Sequence, residues 1–318
     1  MGRHGQRLIK KGDCHLFCGL PVSRVCVILN QMIDLHTHST ASDGSYTPTV
    51  LITEAAKCGL SAIALTDHDT IAGLEEAALA AAERGIRFVH GVELEIAWNQ
   101  GGEFHLLGLG LNSPAPGFKA ALEELARRRL NRNMEMIEKM NKAGISVLYD
   151  DVISLAGGLE AAGPQSRHSI GRPHFAAFLV KKRIVKNREQ AFRRYLGKGK
   201  PFYIPKAGLE FEKAVEIIRD SGGVTILAHP MSLYTAWGRL PGLIKDLQRK
   251  GLDGLEAWHP NARVTDCKRL DEIGKKLGLY VTAGSDFHGE ARPGRKLGIT
   301  AGGKKIEESF LELPPFLK

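Results

Sequence analysis

The feature that most constrains the fold is a repeat of short apolar segments that alternate with helical segments. Apolar runs at 61–65, 224–228, 254–257 and 279–283 each follow a helical stretch that closes on a glycine. Uninterrupted apolar strands of this length are typical of a parallel sheet whose two faces are covered by helices. With this many units, the pattern predicts an α/β chain folded as a distorted TIM-like (β/α)7-type barrel rather than as an open sheet.

One segment breaks this rhythm. Residues 113–206 open with Ser-Pro-Ala-Pro-Gly and continue with a long charged helical pattern at 118–143 and two shorter ones. Strand signals are few there. We therefore expect a basic helical subdomain at 113–206, inserted into a barrel formed by 32–112 and 207–318.

The first 31 residues differ from everything that follows. Basic residues precede a mildly apolar stretch, as in a signal peptide, but Pro21 and Arg24 interrupt that stretch and no clear small-residue cleavage site follows. We expect residues 1–31 to be a non-native or disordered extension, with the folded chain starting at Met32.

The formal net charge of +9 is unevenly spread over the 318 residues. Residues 113–206 hold nineteen Lys/Arg and eight Asp/Glu, and residues 1–31 contribute +4, which leaves −6 for the barrel segments. This division suits a metal-holding core beside a binder of anions such as a nucleotide or nucleic acid. A basic surface that serves only solubility is the alternative.

The composition also indicates the cellular compartment of the protein. No run of eighteen or more apolar residues occurs, which argues against a membrane span. The five cysteines are an odd number without the spacing of a disulfide framework, and they suit a reducing setting. We expect a cytoplasmic protein that needs no membrane and shows no obligate protein partner.

Residues that can ligate a metal stand where the predicted strands end. His36 and His38 are two apart on a strand, so they share a face and can grip one divalent metal, although alone this motif also fits a solvated loop. Similar residues accompany nearly every other predicted strand: Asp43, Asp67, His68, Asp69, Glu93, His105, His229, His259, Asp286 and His288. Chance scatter of 12 histidines would not place so many at one rim, and we therefore predict a metal centre.

Together these residues resemble the PHP family, named for polymerase and histidinol phosphatase domains. The matching motifs are His36-x-His38 with Asp43-Gly44, Thr66-Asp67-His68-Asp69, Gly91-Val92-Glu93, His229-Pro230 and Asp286-Phe287-His288. The resemblance runs from about Met32 to the end of the chain. It is closest to the short stand-alone phosphoesterases with an internal helical insertion, some of which dephosphorylate nucleoside 3′,5′-bisphosphates or trim RNA.

The resemblance implies a set of metal ligands. A first metal would be held by His36, His38, Glu93 and Asp286, a second by Glu93, His105 and His229, and a third by Asp43, His68 and His288. Among these, Glu93, Asp286 and His229 would be the catalytic residues. Many family members have His where this chain has Asp43, which leaves the occupancy of the third site open. Imidazole and carboxylate ligands without thiolate suit two or three Mn²⁺, Fe²⁺ or Zn²⁺ ions.

Five more residues have candidate roles. Asp67 and Asp69 would either orient imidazoles or only bond the strand-end turn. Arg172 and His174 would flank a helix N-terminus, where a phosphate of the substrate can bind, or would mark an ordinary helix start. His259 is either a substrate contact or a structural histidine. The runs Arg127–Arg129 and Lys181–Arg183 are more typical of solvated faces.

Such a centre implies hydrolysis of phosphate esters. Two neighbouring metals can acidify a water, clamp phosphoryl oxygens and stabilise the leaving oxygen, so we expect in-line attack of a metal-bound hydroxide on phosphorus. The favoured function is a phosphoesterase acting on nucleotides or RNA ends, as a nucleoside 3′,5′-bisphosphate phosphatase or a 5′–3′ exoribonuclease. The alternatives are a small-metabolite phosphatase of histidinol phosphatase type and a non-catalytic PHP domain.

Truncation tests the expected boundary. A chain that begins at Met32 should stay soluble and keep its phosphoesterase activity, because residues 1–31 lack the repeating pattern of the barrel. Soluble yield, thermal melting and turnover of the full and truncated chains measure this. Loss of soluble protein on truncation would show that the segment belongs to the fold.

Overall fold

The structure is a computed structural model, and it describes residues 32–155, 170–205 and 207–311. The extension predicted at 1–31 lies outside these residues. Among the helices of the described ranges, none has both the length and the apolar composition that a membrane span requires.

Seven strands form one sheet in which the spatial order follows the chain order. The strands are β1 (Met32–Asp34), β2 (Leu60–Leu65), β3 (Arg87–Glu95), β4 (His105–Leu109), β5 (Val224–Leu227), β6 (Gly254–Trp258) and β7 (Tyr280–Ala283). Neighbouring strands are parallel from β1 to β3 and from β5 to β7. This confirms the predicted α/β barrel.

The barrel is nearly closed, and its seam lies between β1 and β7. Just beyond the strand ends, Thr37 and Phe287 form an isolated parallel bridge, and the His38 N–H donates to the Phe287 carbonyl at 2.9 Å. The Asp286 N–H donates to the His36 carbonyl, also at 2.9 Å. The seam therefore holds the first and last predicted metal motifs side by side.

One strand runs against the predicted direction. The alternating pattern predicts parallel strands throughout, but β4 is antiparallel to both β3 and β5. It follows β3 through a short loop at 96–104, which leaves no room for the helix that a parallel crossover needs. As a result, His105 reaches the rim that carries the other predicted ligands from the start of its strand rather than from the end.

Helices cover the outside of the sheet. On the barrel these are α1 (Pro48–Lys57), α2 (Leu74–Arg84), α7 (Phe211–Asp220), α8 (Leu240–Arg249) and α9 (Val264–Leu277). The predicted boundaries hold at both kinds of helix end. Thr47 caps α1 by accepting from the Val50 N–H at 3.3 Å, and Gly278 ends α9 with φ of 67°.

The inserted segment has helices and an apolar core of its own. It comprises α3 (Pro116–Lys142), α4 (Tyr149–Ile153), α5 (Arg172–Lys181), α6 (Arg188–Ala191) and a π-helix at Phe192–Leu196. Buried side chains such as Phe175, Phe178 and Phe202 pack together there. The first half of α3 instead packs on the barrel through Phe118 and Leu125. The helix thus fixes the insert to the barrel, and we keep 113–206 as a proposed boundary.

A close backbone approach at the seam gives a prediction. A Cβ atom at Gly284 would lie 2.3 Å from His36 Cβ and 2.6 Å from a carboxylate oxygen of Glu256. Gly284→Ala should therefore displace His36, a predicted ligand, and destabilise the protein by about 1–3 kcal/mol. Metal content after dialysis and denaturant unfolding measure the two effects.

The matched control is Gly238→Ala, because a Cβ there meets nothing within 4 Å. Equal metal content and equal unfolding midpoints for the two variants would contradict the proposed role of this approach.

Candidate metal centre

All nine residues predicted as metal ligands lie at one rim of the barrel. Four groups of ligand atoms each lie within 4.8 Å of one another. The groups are His38, Asp43, His68 and His288; His36, Glu93 and His229; His36, His38 and Asp286; and His68, Glu93 and His105. The structure thus brings the predicted residues together, and several belong to more than one group.

Glu93 is the centre of this arrangement. It is fully buried on β3, and five imidazoles lie against its carboxylate. One oxygen lies 2.8 Å from both His105 Nδ1 and His229 Nε2. The other lies 3.0 Å from His68 Nδ1, 3.3 Å from His38 Nε2 and 3.4 Å from His36 Nε2. One carboxylate therefore faces two sets of imidazoles, as a bridging ligand does.

Asp286 and Asp43 extend the cluster on the seam side. Asp286 Oδ1 lies 3.3 Å from His38 Nε2 and 3.7 Å from His36 Nε2. Asp43 Oδ1 lies 3.1 Å from His288 Nε2 and 3.9 Å from His68 Nε2. Imidazole and carboxylate atoms alternate around a common space, which suits divalent transition metals.

Orphaned polar atoms test whether a cation fits. Buried Glu93 Oε2, Asp43 Oδ1 and His288 Nε2 make no hydrogen bond within the described residues, although possible partners lie 3.0–3.1 Å away. Buried polar atoms without hydrogen bonds are rare and indicate an ion or water. Their contacts lack hydrogen-bond alignment, as expected when ligand lone pairs converge on a cation. The residues present fit a metal centre.

The charges of the cluster lead to the same conclusion. Burial alone would raise the pKa of Glu93, but His68 and His105 outweigh it and hold that pKa well below its usual range. Burial would lower the pKa of His38, yet its contacts with Asp286 and Glu93 raise it to about 9. The carboxylates therefore stay negative and draw positive charge into the centre, whether as protons or as metal ions.

Two buried carboxylates that the sequence analysis missed support the ligands. Glu256 contacts His36 Nδ1 at 3.0 Å and accepts from the His229 N–H at 2.7 Å. Burial would raise its pKa, but His36 and His259 lower it to about 2. A carboxylate on the outer nitrogen of a ligating histidine fixes the orientation of its ring. The available signal was a lone acidic residue inside the apolar strand 254–258.

Asp34 is the second of these carboxylates, and it ties the seam together. It accepts hydrogen bonds from the Ser285 N–H at 2.9 Å, the Ser285 hydroxyl at 2.5 Å and the Gly298 N–H at 2.8 Å. Burial raises its pKa to about 6 against these bonds, which lower it. Asp34 thus positions the loop that carries Asp286.

The two aspartates expected around His68 have different partners. Asp67 accepts from the Ser39 N–H and hydroxyl at 2.8 and 2.6 Å, and from the Ser42 hydroxyl at 2.5 Å. These bonds favour the turn-bonding interpretation, since they hold the loop that leads to Asp43. Asp69 accepts from the Glu95 N–H at 2.8 Å and pairs with Arg129 of α3.

The backbone is strained at three rim positions. Asp69, His229 and Asp286 have φ of 52°, 27° and 51°. Residues other than glycine pay roughly 1–3 kcal/mol in such conformations, which persist only where surrounding contacts enforce them. Here the Glu256 bond to the His229 N–H and the seam bond of the Asp286 N–H hold the chain.

His259 lies beside Asp286. Its contacts fit both roles that the sequence left open, a substrate contact and a structural histidine. Its Nε2 is 3.3 Å from Asp286 Oδ2, and its Nδ1 accepts from the Asn261 N–H at 3.2 Å. Arg292 and Arg295 also donate to Asp286 Oδ2, at 2.6 and 3.3 Å. These residues line a cavity of about 540 Å³ over the cluster, which we call the metal cavity.

A second, smaller cavity separates the cluster from the insert. Its volume is about 140 Å³, and its lining includes four arginines and three carboxylates: Arg129, Arg132, Arg172 and Arg292 with Asp43, Glu95 and Glu103. We call it the guanidinium cavity. The guanidinium groups outnumber the carboxylates, and they are suited to an anion with several oxygens, such as a phosphate.

The insert residues differ in how they meet this cavity. Arg172 bonds Glu103 at 2.5 Å, whereas His174 accepts the Gly171 N–H at 3.1 Å and so caps α5. The solvated-face expectation holds for Arg127, which is exposed and pairs with Glu124, whereas Arg128 is half-buried and also donates to the Gly208 carbonyl at 3.0 Å. For Arg129 it is wrong, because on α3 that side chain turns inward to Asp69.

Comparison with known proteins agrees with this geometry. Residues 34–196 match the family model described as PHP domain. A 3′,5′-nucleoside bisphosphate phosphatase of Chromobacterium violaceum is 37% identical over 84% of this chain and 91% of its own length. A 5′–3′ exoribonuclease of Haemophilus influenzae is 36% identical over 82% of this chain and 91% of its own.

A solved structure from Bifidobacterium adolescentis, provisionally assigned as a metal-dependent phosphoesterase, is similar in fold. Its TM-score is 0.76 at 29% identity, with 88% of this chain and 94% of the other covered. Sequence motifs, rim geometry and these similarities agree, and this chain belongs to the PHP domain family.

Proposed function

We propose that this chain is a metal-dependent phosphoesterase that hydrolyses phosphate esters of nucleotides or RNA ends. The observation that carries the proposal is the ligand cluster around Glu93 directly beside a cavity lined by four arginines. The relatives named as a nucleoside bisphosphate phosphatase and as an exoribonuclease support it over most of the chain.

We assign the ligands as the family resemblance implies. His36, His38, Glu93 and Asp286 would hold one cation, Glu93, His105 and His229 a second, and Asp43, His68 and His288 a third. In the structure His38 also reaches the third group. The donors suit Mn²⁺, Fe²⁺ or Zn²⁺, and bound cations would supply Lewis acidity towards phosphate oxygens and a water nucleophile.

The protein supplies position and charge for this chemistry. Arg292 and Arg295 hold the Asp286 carboxylate from the side opposite His38. The guanidinium cavity lies close enough to His68 and His105, which line it, to hold a second phosphate of the same substrate. Two subsites for phosphate groups, one at the metal ligands and one in the guanidinium cavity, favour a doubly phosphorylated nucleotide or an RNA end over a simple monoester.

Arg132 carries the strongest argument within the guanidinium cavity. It is 8% exposed, has no ion pair within the described residues, and its Nε makes no hydrogen bond there. Burial, with the charges of Arg129 and Arg172, lowers its pKa to about 10, so it remains a cation at neutral pH. Its Nη2 donates to the neutral amide oxygen of Asn133 at 3.3 Å, which leaves its charge unpaired within the described residues. A buried cation without a paired anion is costly, and an anionic substrate group would compensate its charge.

A substrate panel tests the proposal. The purified protein with Mn²⁺ should release phosphate from a nucleoside 3′,5′-bisphosphate, or mononucleotides from a 5′-phosphorylated RNA, faster than it hydrolyses histidinol phosphate. Glu93→Gln should lower the rate by several orders of magnitude and reduce the bound metal, because the charge shared between two ligand groups is lost. Turnover and metal content are measured on the same samples.

Glu272→Gln, on the exposed surface of α9, is the control for that substitution. Preference for histidinol phosphate would support the small-metabolite alternative. Full turnover and full metal content in Glu93→Gln would contradict the assignment of the centre.

Arg132→Met gives a prediction about the second phosphate. The KM for a nucleoside 3′,5′-bisphosphate should rise roughly ten- to a hundredfold, since a charge-assisted contact contributes about 1.5–3 kcal/mol. A chromogenic phosphate monoester, which lacks the second phosphate, should be affected much less. Steady-state kinetics on both substrates measure this.

Arg127→Met on the same helix is the matched control, because Arg127 is 70% exposed and pairs with Glu124. Equal losses on both substrates would show that Arg132 serves the reacting phosphate itself and would contradict a separate subsite.

A further inference from the structure

A third cavity lies next to the metal cavity, between the β3–β4 loop and the insert. Its volume is about 520 Å³, close to the 540 Å³ of the metal cavity. Glu103, Ser232 and Tyr234 line both, so the two spaces adjoin.

The walls of this third cavity are rich in aromatic rings. Trp98 comes from the β3–β4 loop, Phe192 and Tyr203 come from the insert, and Tyr234 follows β5. Tyr234 is 84% exposed, an unusual position for a large ring. We call this space the aromatic cavity. Rings placed in this way can stack on nucleobases of any sequence.

Arg172 connects the aromatic cavity to the guanidinium cavity, because it lines both. Its guanidinium lies 5.4 Å from the ring centroid of Tyr203 and 6.0 Å from that of Phe192. A substrate phosphate at Arg172 would therefore have aromatic faces beside it, where an attached or neighbouring nucleoside lies.

The size of the two larger cavities argues for more than one nucleotide. Small-molecule sites usually measure about 300–1,000 Å³, so each of the two can take a nucleotide by itself. A mononucleotide bisphosphate at the metal centre would occupy one of them and leave the other without a ligand.

The sequence around the aromatic cavity is strongly basic. Residues 172–200 hold ten Lys/Arg and a single Glu. The π-helix contributes Phe192 to the aromatic cavity and Arg194 to another cavity, which Arg183 and Lys186 also line. Lys198 and Arg172 line the aromatic cavity itself, together with Glu95 and Glu103. Cations that follow aromatic rings are the pattern of a groove for a single nucleic acid strand.

We propose that the aromatic cavity binds the nucleotide adjoining the one at the metal centre, so that single-stranded RNA of two or more nucleotides is preferred over a mononucleotide bisphosphate. The proposal rests on the proposed function of the metal centre and defines its substrate class. The strand then continues over the basic surface of the insert.

Substrates of different length test this. The kcat/KM of the metal-loaded wild type should be higher for 5′-phosphorylated RNAs of two and five nucleotides than for a nucleoside 3′,5′-bisphosphate, mainly through KM. Tyr203→Ala should lower kcat/KM for the RNAs roughly five- to a hundredfold. Its effect on the bisphosphate should be within about twofold, because Tyr203 lines the aromatic cavity but neither the metal cavity nor the guanidinium cavity. Tyr203→Phe should retain the wild-type values because it keeps the ring.

Charge is tested separately from stacking. Lys198→Gln should lower kcat/KM for the five-nucleotide RNA and weaken its dependence on salt, because one phosphate contact is lost. Lys268→Gln is the matched control, since Lys268 is also exposed but lies on α9 of the barrel. It should leave both quantities unchanged.

The outcomes separate this inference from the function on which it rests. Hydrolysis of the bisphosphate without any gain from RNA length, or equal losses on both substrates in Tyr203→Ala, would overturn the aromatic subsite alone. Absence of turnover on every one of these substrates would overturn the proposed function and the inference together.

Discussion

The rest of the structure depends on one fully buried carboxylate, Glu93, which five imidazoles surround. An ionised carboxylate away from water is unfavourable unless positive charge and polar contacts compensate it. The barrel meets this demand by bringing the ends of its strands to one rim, with histidine or aspartate at nearly every end. The same concentration of charge and lone pairs is what a cluster of divalent cations requires. The same imidazoles therefore stabilise the buried carboxylate and provide the ligands of the candidate metal site.

Around this centre, buried groups restrict each ligand to one position. Glu256 fixes the outer nitrogen of His36, and Asp34 fixes the loop before Asp286. Loss of such an outer contact typically lowers metal affinity or activity about 10- to 100-fold. On the other side, α3 brings Arg129 and Arg132 to the edge of the cluster, while its first half packs on the barrel. This arrangement agrees with the charge pattern of the sequence, in which the barrel segments are acidic and the insert is basic.

The ligands were predictable because histidine and carboxylate at successive strand ends leave a periodic signal, and parallel strands converge by topology. The reversal of β4 was not, since a five-residue apolar run reads alike in either direction; only the short loop before it carries information. The role of Glu256 could not be predicted, because a single acidic residue within an apolar strand indicates a buried polar partner but does not identify that partner. Arg129 was mistaken for part of a solvated run because adjacent helical residues point about 100° apart. Packing decides which of them turns inward.

The central claim is that this rim holds at least two cations that share Glu93. Anomalous diffraction from crystals grown with Mn²⁺ or Zn²⁺ tests it most directly. The account predicts one peak contacted by Glu93 and Asp286 and a second contacted by Glu93, His105 and His229. A single peak away from Glu93, or no peak at the rim in fully metal-loaded crystals, would contradict the account.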